Sequence, residues 1–81
     1  MTFDIYVNIL PLPALLDPAG KATLQGLHQL GFDGVTQVRI GKRIHLSIDA
    51  ETAADAVELA RRAAEKLLVN PVMETFTIER A

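Results

Sequence analysis

The chain has 81 residues, no cysteine and a formal net charge of −2. A chain of this length forms one domain, residues 1–81, and the lack of cysteine excludes disulfides and thiolate metal sites. The acidic balance argues against a nucleic-acid binder, and no apolar run approaches the ~20 residues of a membrane span, so we expect a soluble cytoplasmic protein that binds neither nucleic acid nor membrane.

The first strand is predicted from Phe3 to Ile9, where apolar residues alternate with polar ones. The inward face would carry Phe3, Ile5, Val7 and Ile9, and the outward face Asp4, Tyr6 and Asn8. Pro11 and Pro13 then remove two backbone donors, so the strand cannot continue and a rigid connector follows.

The first helix is predicted to begin in "DPAGKAT", residues 17–23. Asp17 is a suitable N-cap, and Pro18 suits the first helical position because its missing N–H costs nothing there. Leucines at three-residue spacing lead to a terminating glycine: Leu24, Leu27, Leu30 and Gly31. Gly20 costs about 1 kcal/mol relative to alanine in a helix, so we expect another element of the chain, or a partner chain, to pack closely against it.

The Gly20-Lys21 pair also resembles part of a nucleotide-binding loop, G-x-x-x-x-G-K-[ST]. That loop requires a glycine where this chain has Leu15 and a hydroxyl where it has Ala22. The Asp17 carboxylate would also occupy the positive end of the helix dipole, where a phosphate would bind. The stretch is therefore interpreted as a helix start and not as a phosphate site.

Two alternating runs on either side of Gly41-Lys42 predict a β-hairpin, because a Gly-X pair suits a type II′ turn. The inward face of its two arms would carry Val38, Ile40, Ile44, Leu46 and Ile48. The opposite face would carry Gln37, Arg39, Arg43, His45 and Ser47.

The second helix is predicted from about Thr52, which with Asp55 resembles a capping box, to Asn70-Pro71. Its buried stripe would contain Val57, Ala60, Ala64, Leu67 and Leu68.

A final strand would run from about Val72 to Glu79 with Phe76 and Ile78 inward. Glu74 shares that inward parity, which a bulge or a late strand start explains more simply than a buried acid.

The element order is therefore βαββαβ. We expect an α+β two-layer sandwich of the ferredoxin-like kind, with two helices on one face of a mainly antiparallel four-stranded sheet. The uncovered face would expose Tyr6, Asn8, Gln37, Arg39, His45, Ser47, Thr75 and Thr77, and must meet water or a partner.

The sequence predicts no catalytic, cofactor or metal site. His28 lies in the first helix and His45 on a strand, and neither has a serine motif or a metal-ligand spacing around it. No pair of acids has a spacing that indicates general acid–base work. Tyr6 is the one aromatic residue on the open sheet face, which is too few for the base stacking of RNA-binding domains of this topology.

Three blocks in order, "LLDPAG", "VRIGK" and "EKLLVNPVMETF", carry a resemblance over essentially the whole chain. On these blocks the sequence resembles the PurS family, the small subunits of phosphoribosylformylglycinamidine synthase, a purine-pathway amidotransferase. The matching residues are Asp17, Pro18 and Gly20, then Val38, Arg39, Gly41 and Lys42, then Lys66, Leu67, Leu68, Asn70, Pro71, Val72 and Glu74.

The resemblance implies a subunit of an ATP- and glutamine-dependent C–N ligase with no active site and no bound cofactor of its own. In the family, a glutaminase subunit (PurQ) releases ammonia, and a large synthetase subunit (PurL) uses ATP and Mg to activate the amide oxygen of formylglycinamide ribonucleotide. Ammonia then displaces the phosphate to give the amidine. The small subunit forms dimers that bridge the other two, so we expect a homodimer or a higher homo-oligomer.

The candidate partner contacts are Asp17, Pro18, Gly20, Arg39, Gly41, Lys42, Asn70 and Pro71. Arg39 and Lys42 are hypothesised to reach a partner from the predicted hairpin, the alternative being solvated charges at a strand end. Family members commonly carry a lysine shortly before the LDP sequence, where this chain has Leu12, so the resemblance carries over no contact made through that lysine.

A second function class is also open from the sequence: a freestanding regulatory domain of the same topology that binds a small molecule. Such a domain would be stabilised by a metabolite and would need no other chain. Domains of that kind use a glycine-rich loop after the first strand, where this chain has prolines.

Overall fold

The computed structural model describes residues 1–13 and 17–81. The elements are β1 (Thr2–Pro11), α1 (Pro18–Gln29), β2 (Lys42–Asp49), α2 (Ala53–Ala63), a π-helical turn (Ala64–Leu68) and β3 (Glu74–Arg80). Across the described residues, the strands form a three-stranded sheet in the order β2-β1-β3. In those same ranges, no helix has the length and apolar character needed to cross a membrane.

β1 is the centre of the sheet, because it pairs antiparallel with β2 on one edge and with β3 on the other. Ile5 lies opposite Leu46 of β2, and Val7 lies opposite Ile78 of β3. The predicted alternation is confirmed, since the side chains of Ile5, Val7 and Ile9 are 0%, 0% and 1% exposed. These apolar side chains form the middle of the core, where burial stabilises the fold most.

α2 covers one face of the sheet through alanines. Ala56, Ala60 and Ala64 are fully buried and pack with Ile5 and Ile9 of β1 in two adjoining clusters. Small side chains at this spacing let the helix approach the strands closely. The predicted helix start is confirmed, because the Thr52 hydroxyl oxygen accepts a hydrogen bond from the Asp55 amide at 3.1 Å.

The prediction that Leu67 is buried is wrong: its side chain is 84% exposed. The helix does not keep the α-helical period to its end, because the Val69 amide donates to the Ala64 carbonyl five residues earlier, at 2.9 Å. This wider π turn shifts the direction of the side chains that follow. Val69, at 7% exposure, joins the core instead.

Both ends of α1 agree with the sequence prediction. Pro18 occupies the first turn, and Gly31 after the last turn has φ of 94°. The position of α1 relative to the sheet, however, does not agree with the prediction. Among the described residues, those packed against the core clusters come from the strands, α2 and the connections beside α2, and none comes from α1. The expectation of two helices on one sheet face is therefore wrong for a single chain.

The predicted hairpin at Gly41-Lys42 is also wrong. Residues 35–41 form neither a turn nor a paired strand, and the chain runs directly into β2. A type II′ turn needs a positive φ at Gly41, but in the described ranges only Gly31 has one. Gly41 serves a different purpose, because a Cβ there would overlap the carbonyl oxygen of Ile9. In the described residues the sheet is therefore three-stranded, and not four-stranded as predicted.

α1 and residues 35–41 lie side by side and form a unit, here called the arm (residues 17–41). The Val35 carbonyl lies 2.7 Å from Nε2 of His28 near the end of the helix. The Ile40 amide bonds to Asp17 at the helix start. The arm comes after β1 in the chain and leads directly into β2. The end of β1 and the start of β2 lie at the same end of the sheet, because Ile9 pairs with Lys42.

Candidate functional site

The sheet face opposite α2 carries a connected set of polar side chains, here called the polar face. Its members are Asp4, Tyr6, Asn8, Arg43, His45, Ser47 and Glu79. Alternation along each strand places them on the side away from the buried Ile5, Val7 and Ile9. Of the positions predicted for the open face, Tyr6, Asn8, His45 and Ser47 belong to this set, and Thr75 and Thr77 lie on β3 at the same parity as Glu79. The prediction is wrong for Gln37 and Arg39, which precede β2 and lie outside the sheet.

An aromatic and cationic stack lies at the centre of the polar face. Tyr6 is directly opposite His45 on the neighbouring strand, and their ring centroids are 4.9 Å apart with 21° between the ring planes. The guanidinium carbon of Arg43 lies 4.0 Å from the Tyr6 ring centroid, which is a cation–π arrangement. The three side chains form a flat, ordered surface.

Arg43 also reaches across the central strand from β2 to β3. Its guanidinium donates to both carboxylate oxygens of Glu79, at 3.1 and 2.8 Å, and to the Asn8 side-chain oxygen at 3.2 Å. The bond from Arg43, and then that from Asn8, lowers the pKa of the Glu79 carboxyl, while the bond to Glu79 raises the pKa of Arg43. This exposed pair therefore adds little to stability, but it fixes the guanidinium in place.

His45 of the polar face is also held by side-chain contacts between neighbouring strands. Nε2 of His45 lies 2.9 Å from Oδ1 of Asp4, and the Ser47 hydroxyl donates to that oxygen at 3.4 Å. The charge of Arg43 is thus matched by Glu79, and the Asp4 carboxylate is in contact with two neighbouring side chains. Such a surface is suited to docking against a protein better than to attracting a charged ligand.

Asp17 joins the two parts of the arm. Its carboxylate accepts the Gly20 amide at 3.1 Å and the Ile40 amide at 3.0 Å. These two hydrogen bonds, Ile40 first and Gly20 second, lower the pKa of the Asp17 carboxyl. The carboxylate of Asp17 thus occupies the N-terminus of α1. This agrees with the interpretation of residues 17–23 as a helix start and not as a phosphate site.

The close packing expected at Gly20 comes from this chain itself. Gly20 is buried, and a Cβ there would overlap the carbonyl oxygen of Val38 and approach the Asp17 carboxylate. The glycine therefore lets the extended segment pass directly over the first turn of the helix.

Arg39 and Lys42 do not project from a hairpin tip. The Arg39 guanidinium donates to the carbonyl oxygen of Pro11, which ties the arm to the end of β1. Nζ of Lys42 lies 3.7 Å from Oε2 of Glu74 on β3, with the lysine side chain 57% exposed. Contacts from these residues to a partner stay a prediction.

Asn70, Pro71 and Glu74 form the connection into β3. The Glu74 carboxylate accepts the Asn70 amide at 2.9 Å, and the Asn70 side-chain oxygen accepts the Val72 amide at 3.1 Å. β3 begins at Glu74, so the late strand start explains this acid as predicted. The partner role of Asn70 and Pro71 stays a prediction, as does that of Asp17, Pro18, Gly20 and Gly41.

Within residues 1–13 and 17–81, no three His, Cys, Asp or Glu side chains are grouped to hold a metal ion. His28 contacts a backbone carbonyl, and His45 contacts Asp4.

Sequence reasoning missed the link between Arg43 and Glu79, because the register of β3 against β1 cannot be read from residue alternation alone.

The fold is that of a small α+β chain with one uncovered, polar sheet face in the described residues. The family model for PurS, described as phosphoribosylformylglycinamidine (FGAM) synthase, matches residues 4–81. The chain belongs to the PurS family, and curated relatives are named as subunits of FGAM synthase.

Relatives from distant organisms cover nearly the whole chain. The PurS subunit of Synechocystis sp. is 47% identical over 75 residues, which cover 93% of this chain and 73% of the relative. The subunit of Mycobacterium leprae is 45% identical over 74 residues, covering 91% of this chain and 90% of the relative.

Solved structures share the arrangement of this chain. The purS subunit of Thermotoga maritima superposes with a TM-score of 0.92 at 31% identity, covering 100% of this chain and 93% of that one. A chain of the structure of PurLQS from the same organism has a TM-score of 0.91 at 31% identity, with coverage of 100% and 99%. Agreement of this quality over the whole length includes the arm.

Replacing Gly20 with alanine tests the contact inside the arm. Gly20→Ala should destabilise the protein, because its methyl group must displace either the Val38 carbonyl or the Asp17 carboxylate. Gly26→Ala, in the same helix, meets nothing within 4 Å and should stabilise the protein by up to about 1 kcal/mol. Urea unfolding followed by circular dichroism measures both, and a Gly20→Ala variant as stable as Gly26→Ala would contradict the packing.

The Asp17 bridge predicts a dependence of stability on pH. A carboxyl whose folded pKa is lowered stabilises the fold above its unfolded pKa, near 3.9, and this contribution is lost as the pH falls through the folded value. Asp17→Asn should therefore lose stability at about pH 7 and show a shallower decline on acidification to about pH 3. Thermal unfolding across this range, with Asp33→Asn as the exposed control, measures the difference. Parallel curves for Asp17→Asn and the native chain would contradict the bridge.

Proposed function

We propose that this chain is the non-catalytic small subunit of a glutamine-dependent FGAM synthase in de novo purine (IMP) biosynthesis, and that it bridges the glutaminase and synthetase subunits in the cytoplasm. The observation that carries this proposal is the likeness over its full length to a chain of the Thermotoga PurLQS structure, together with membership of the PurS family. By that likeness the partners are a PurQ-type glutaminase and a PurL-type synthetase.

The surfaces of the chain support a bridging role. The polar face and the arm are separate regions, so each can contact a different protein. The polar face presents tyrosine, arginine and histidine in fixed positions, and aromatic residues and arginine are enriched in protein interfaces. In this proposal ATP and Mg bind to the synthetase, and the chain supports ammonia transfer by holding the two reaction centres in one assembly.

The proposal also includes a homo-oligomer, with a dimer as the basic unit. Large apolar side chains of the arm and its loop are exposed: Leu30 by 75%, Phe32 by 56% and Ile40 by 46%. Leu30 and Phe32 follow the end of α1, and Ile40 lies near its start, so large apolar side chains are exposed at both ends of the arm. Exposed apolar surface of this kind favours a protein interface.

The alternative of a freestanding metabolite-binding domain receives little support from the cavities. A hollow of about 220 Å³ lies between the π turn and β3, and one of about 380 Å³ lies between α2 and Arg80. Ligand pockets usually measure roughly 300–1,000 Å³ and are lined mainly by apolar groups. The larger hollow is bordered by Glu58, Arg61 and Arg80 and contains no convergent set of buried polar groups among the described residues.

A reconstitution experiment tests the bridging function. Glutamine-dependent amidine formation by the cognate PurQ and PurL subunits should require addition of this chain. Synthesis from added ammonium by PurL alone should not require it, because that reaction bypasses the glutaminase. Full glutamine-dependent activity of the two larger subunits without this chain would contradict the proposal, and a rise in its melting temperature with glutamine or ATP alone would favour the regulatory alternative.

A further inference from the structure

β3 lies at an edge of the sheet, because β1 pairs with one side of it and, within the described residues, no strand pairs with the other. Its hydrogen bonds to β1 show which backbone groups point outward. The Leu12 amide donates to the Met73 carbonyl at 2.9 Å, and the Ala81 amide donates to the Asp4 carbonyl at 3.1 Å. In an antiparallel pair, such bonded positions recur at every second residue. The odd-numbered residues of β3 therefore bond to β1, and the even-numbered residues turn their amides and carbonyls outward.

The outward-pointing groups belong to Phe76, Ile78 and Arg80, and no strand in residues 1–13 and 17–81 bonds to them. Natural sheets protect an open edge with proline, lysine or a bulge. β3 contains neither proline nor lysine, and its register against β1 runs without a bulge. The outer edge of β3 is therefore suited to accept an added strand through main-chain hydrogen bonds.

The apolar side chains along this edge are only partly covered by α2. Phe76 and Ile78 are half-buried, although Ile9 and Val7, which lie opposite them on β1, are completely buried. An added strand with apolar side chains on the α2 side would remove the remaining apolar surface from water. The occupant of the edge should therefore have an apolar residue opposite each of these two positions.

The start of the edge is acidic. The hollow of about 220 Å³ described above is lined by both Glu74 and Thr75, whose side chains lie on opposite faces of β3, so it extends around the unpaired backbone. The Glu65 carboxylate borders it as well. Nζ of Lys42 approaches Glu74 to 3.7 Å, which leaves one of the two negative charges unmatched among the residues described. A basic side chain is complementary to this end.

The other end of the edge is basic. The hollow of about 380 Å³ lies there, between α2 and Arg80. Glu58 on its border pairs with Arg61 at 3.0 Å, which leaves the positive charge of Arg80 unmatched in the part of the chain that the structure describes. Arg80 has the same parity as Glu74, about 20 Å away along the strand. The α2 side of the edge thus carries opposite charges at its two ends, with apolar groups between them.

We infer that the outer edge of β3 binds an extended segment of one of the two larger partner subunits as an added antiparallel strand. Read from its N-terminus, the segment has an acidic residue opposite Arg80, apolar residues opposite Ile78 and Phe76, and a basic residue opposite Glu74. One residue facing the other side separates each of these from the next. Main-chain bonds supply the affinity, and the alternate side chains supply the specificity. The inference rests on the proposed function and names one surface through which the chain contacts a partner.

Substitutions at Arg80 separate the role of its amide from that of its side chain. Arg80→Pro removes the outward-pointing N–H, whereas Arg80→Ala removes the charge and keeps the amide. Both variants should bind one of the cognate PurQ and PurL subunits more weakly than the native chain. The proline variant should be about tenfold weaker again, because a partner carbonyl in the interface loses its donor. Calorimetric titration with each subunit measures the affinities, and circular dichroism checks the fold.

Reversal of the end charges tests the chemistry of the segment. The probes are the synthetic peptides Asp-Thr-Val-Thr-Val-Thr-Lys and Lys-Thr-Val-Thr-Val-Thr-Asp. The native chain should bind the first about tenfold more tightly, and the double variant Glu65→Lys/Arg80→Glu should prefer the second, because like charges then meet at both ends. Arg62→Glu, exposed on α2 and outside the linings of both hollows, is the matched control and should keep the native preference.

The outcomes separate this inference from the proposed function. A native chain that binds neither larger subunit would contradict both. Binding of the subunits that is unchanged by Arg80→Pro and by the charge reversal, or a native chain that does not discriminate between the two peptides, would overturn the strand addition and leave the bridging role intact. Light scattering of the chain alone covers one further occupant. A smaller homo-oligomer for Arg80→Pro than for Arg80→Ala would assign the edge to a second copy and would also overturn the inference.

Discussion

The close passage of Gly41 against the carbonyl oxygen of Ile9 determines the shape of this chain. A Cβ at this position would overlap that oxygen, and the backbone enters β2 without the positive φ of a hairpin turn. Residues 35–41 therefore extend beyond the sheet, and the Asp17 bridge carries α1 with them. One close backbone contact thus separates the arm from the sheet and leaves the outer edge of β2 without a paired strand in the described residues.

The two faces of the sheet are stabilised by different physical means. One face packs on the alanines of α2, and its apolar side chains are removed from water. The polar face has no covering layer in the described chain, and its order comes from Arg43, which stacks on Tyr6 and bonds to Glu79. The polar face of the sheet and the apolar side chains of the arm are the two surfaces on which the proposed bridging role rests.

The sequence predicted those features that depend on neighbouring residues. The period of β1, the Thr52 cap and the glycine at the end of α1 are local signals, and all are confirmed. The errors arose from contacts between distant segments. The Gly41-Lys42 pair is typical of a hairpin turn, but Gly41 packs against β1. Leu67 is exposed because the π turn changes the direction of the side chains that follow Ala64. The placement of α1 away from the sheet, and the bond between Arg43 and Glu79, likewise depend on tertiary geometry that residue patterns do not encode.

Unfolding of the Gly41→Ala variant in urea tests most directly whether the close passage of Gly41 determines the shape of the chain. The added methyl group must displace the carbonyl oxygen of Ile9, so this variant should be less stable than the native chain. Gly34→Ala is the matched control, because a Cβ at that position meets nothing within 4 Å. A Gly41→Ala variant as stable as Gly34→Ala would contradict the account.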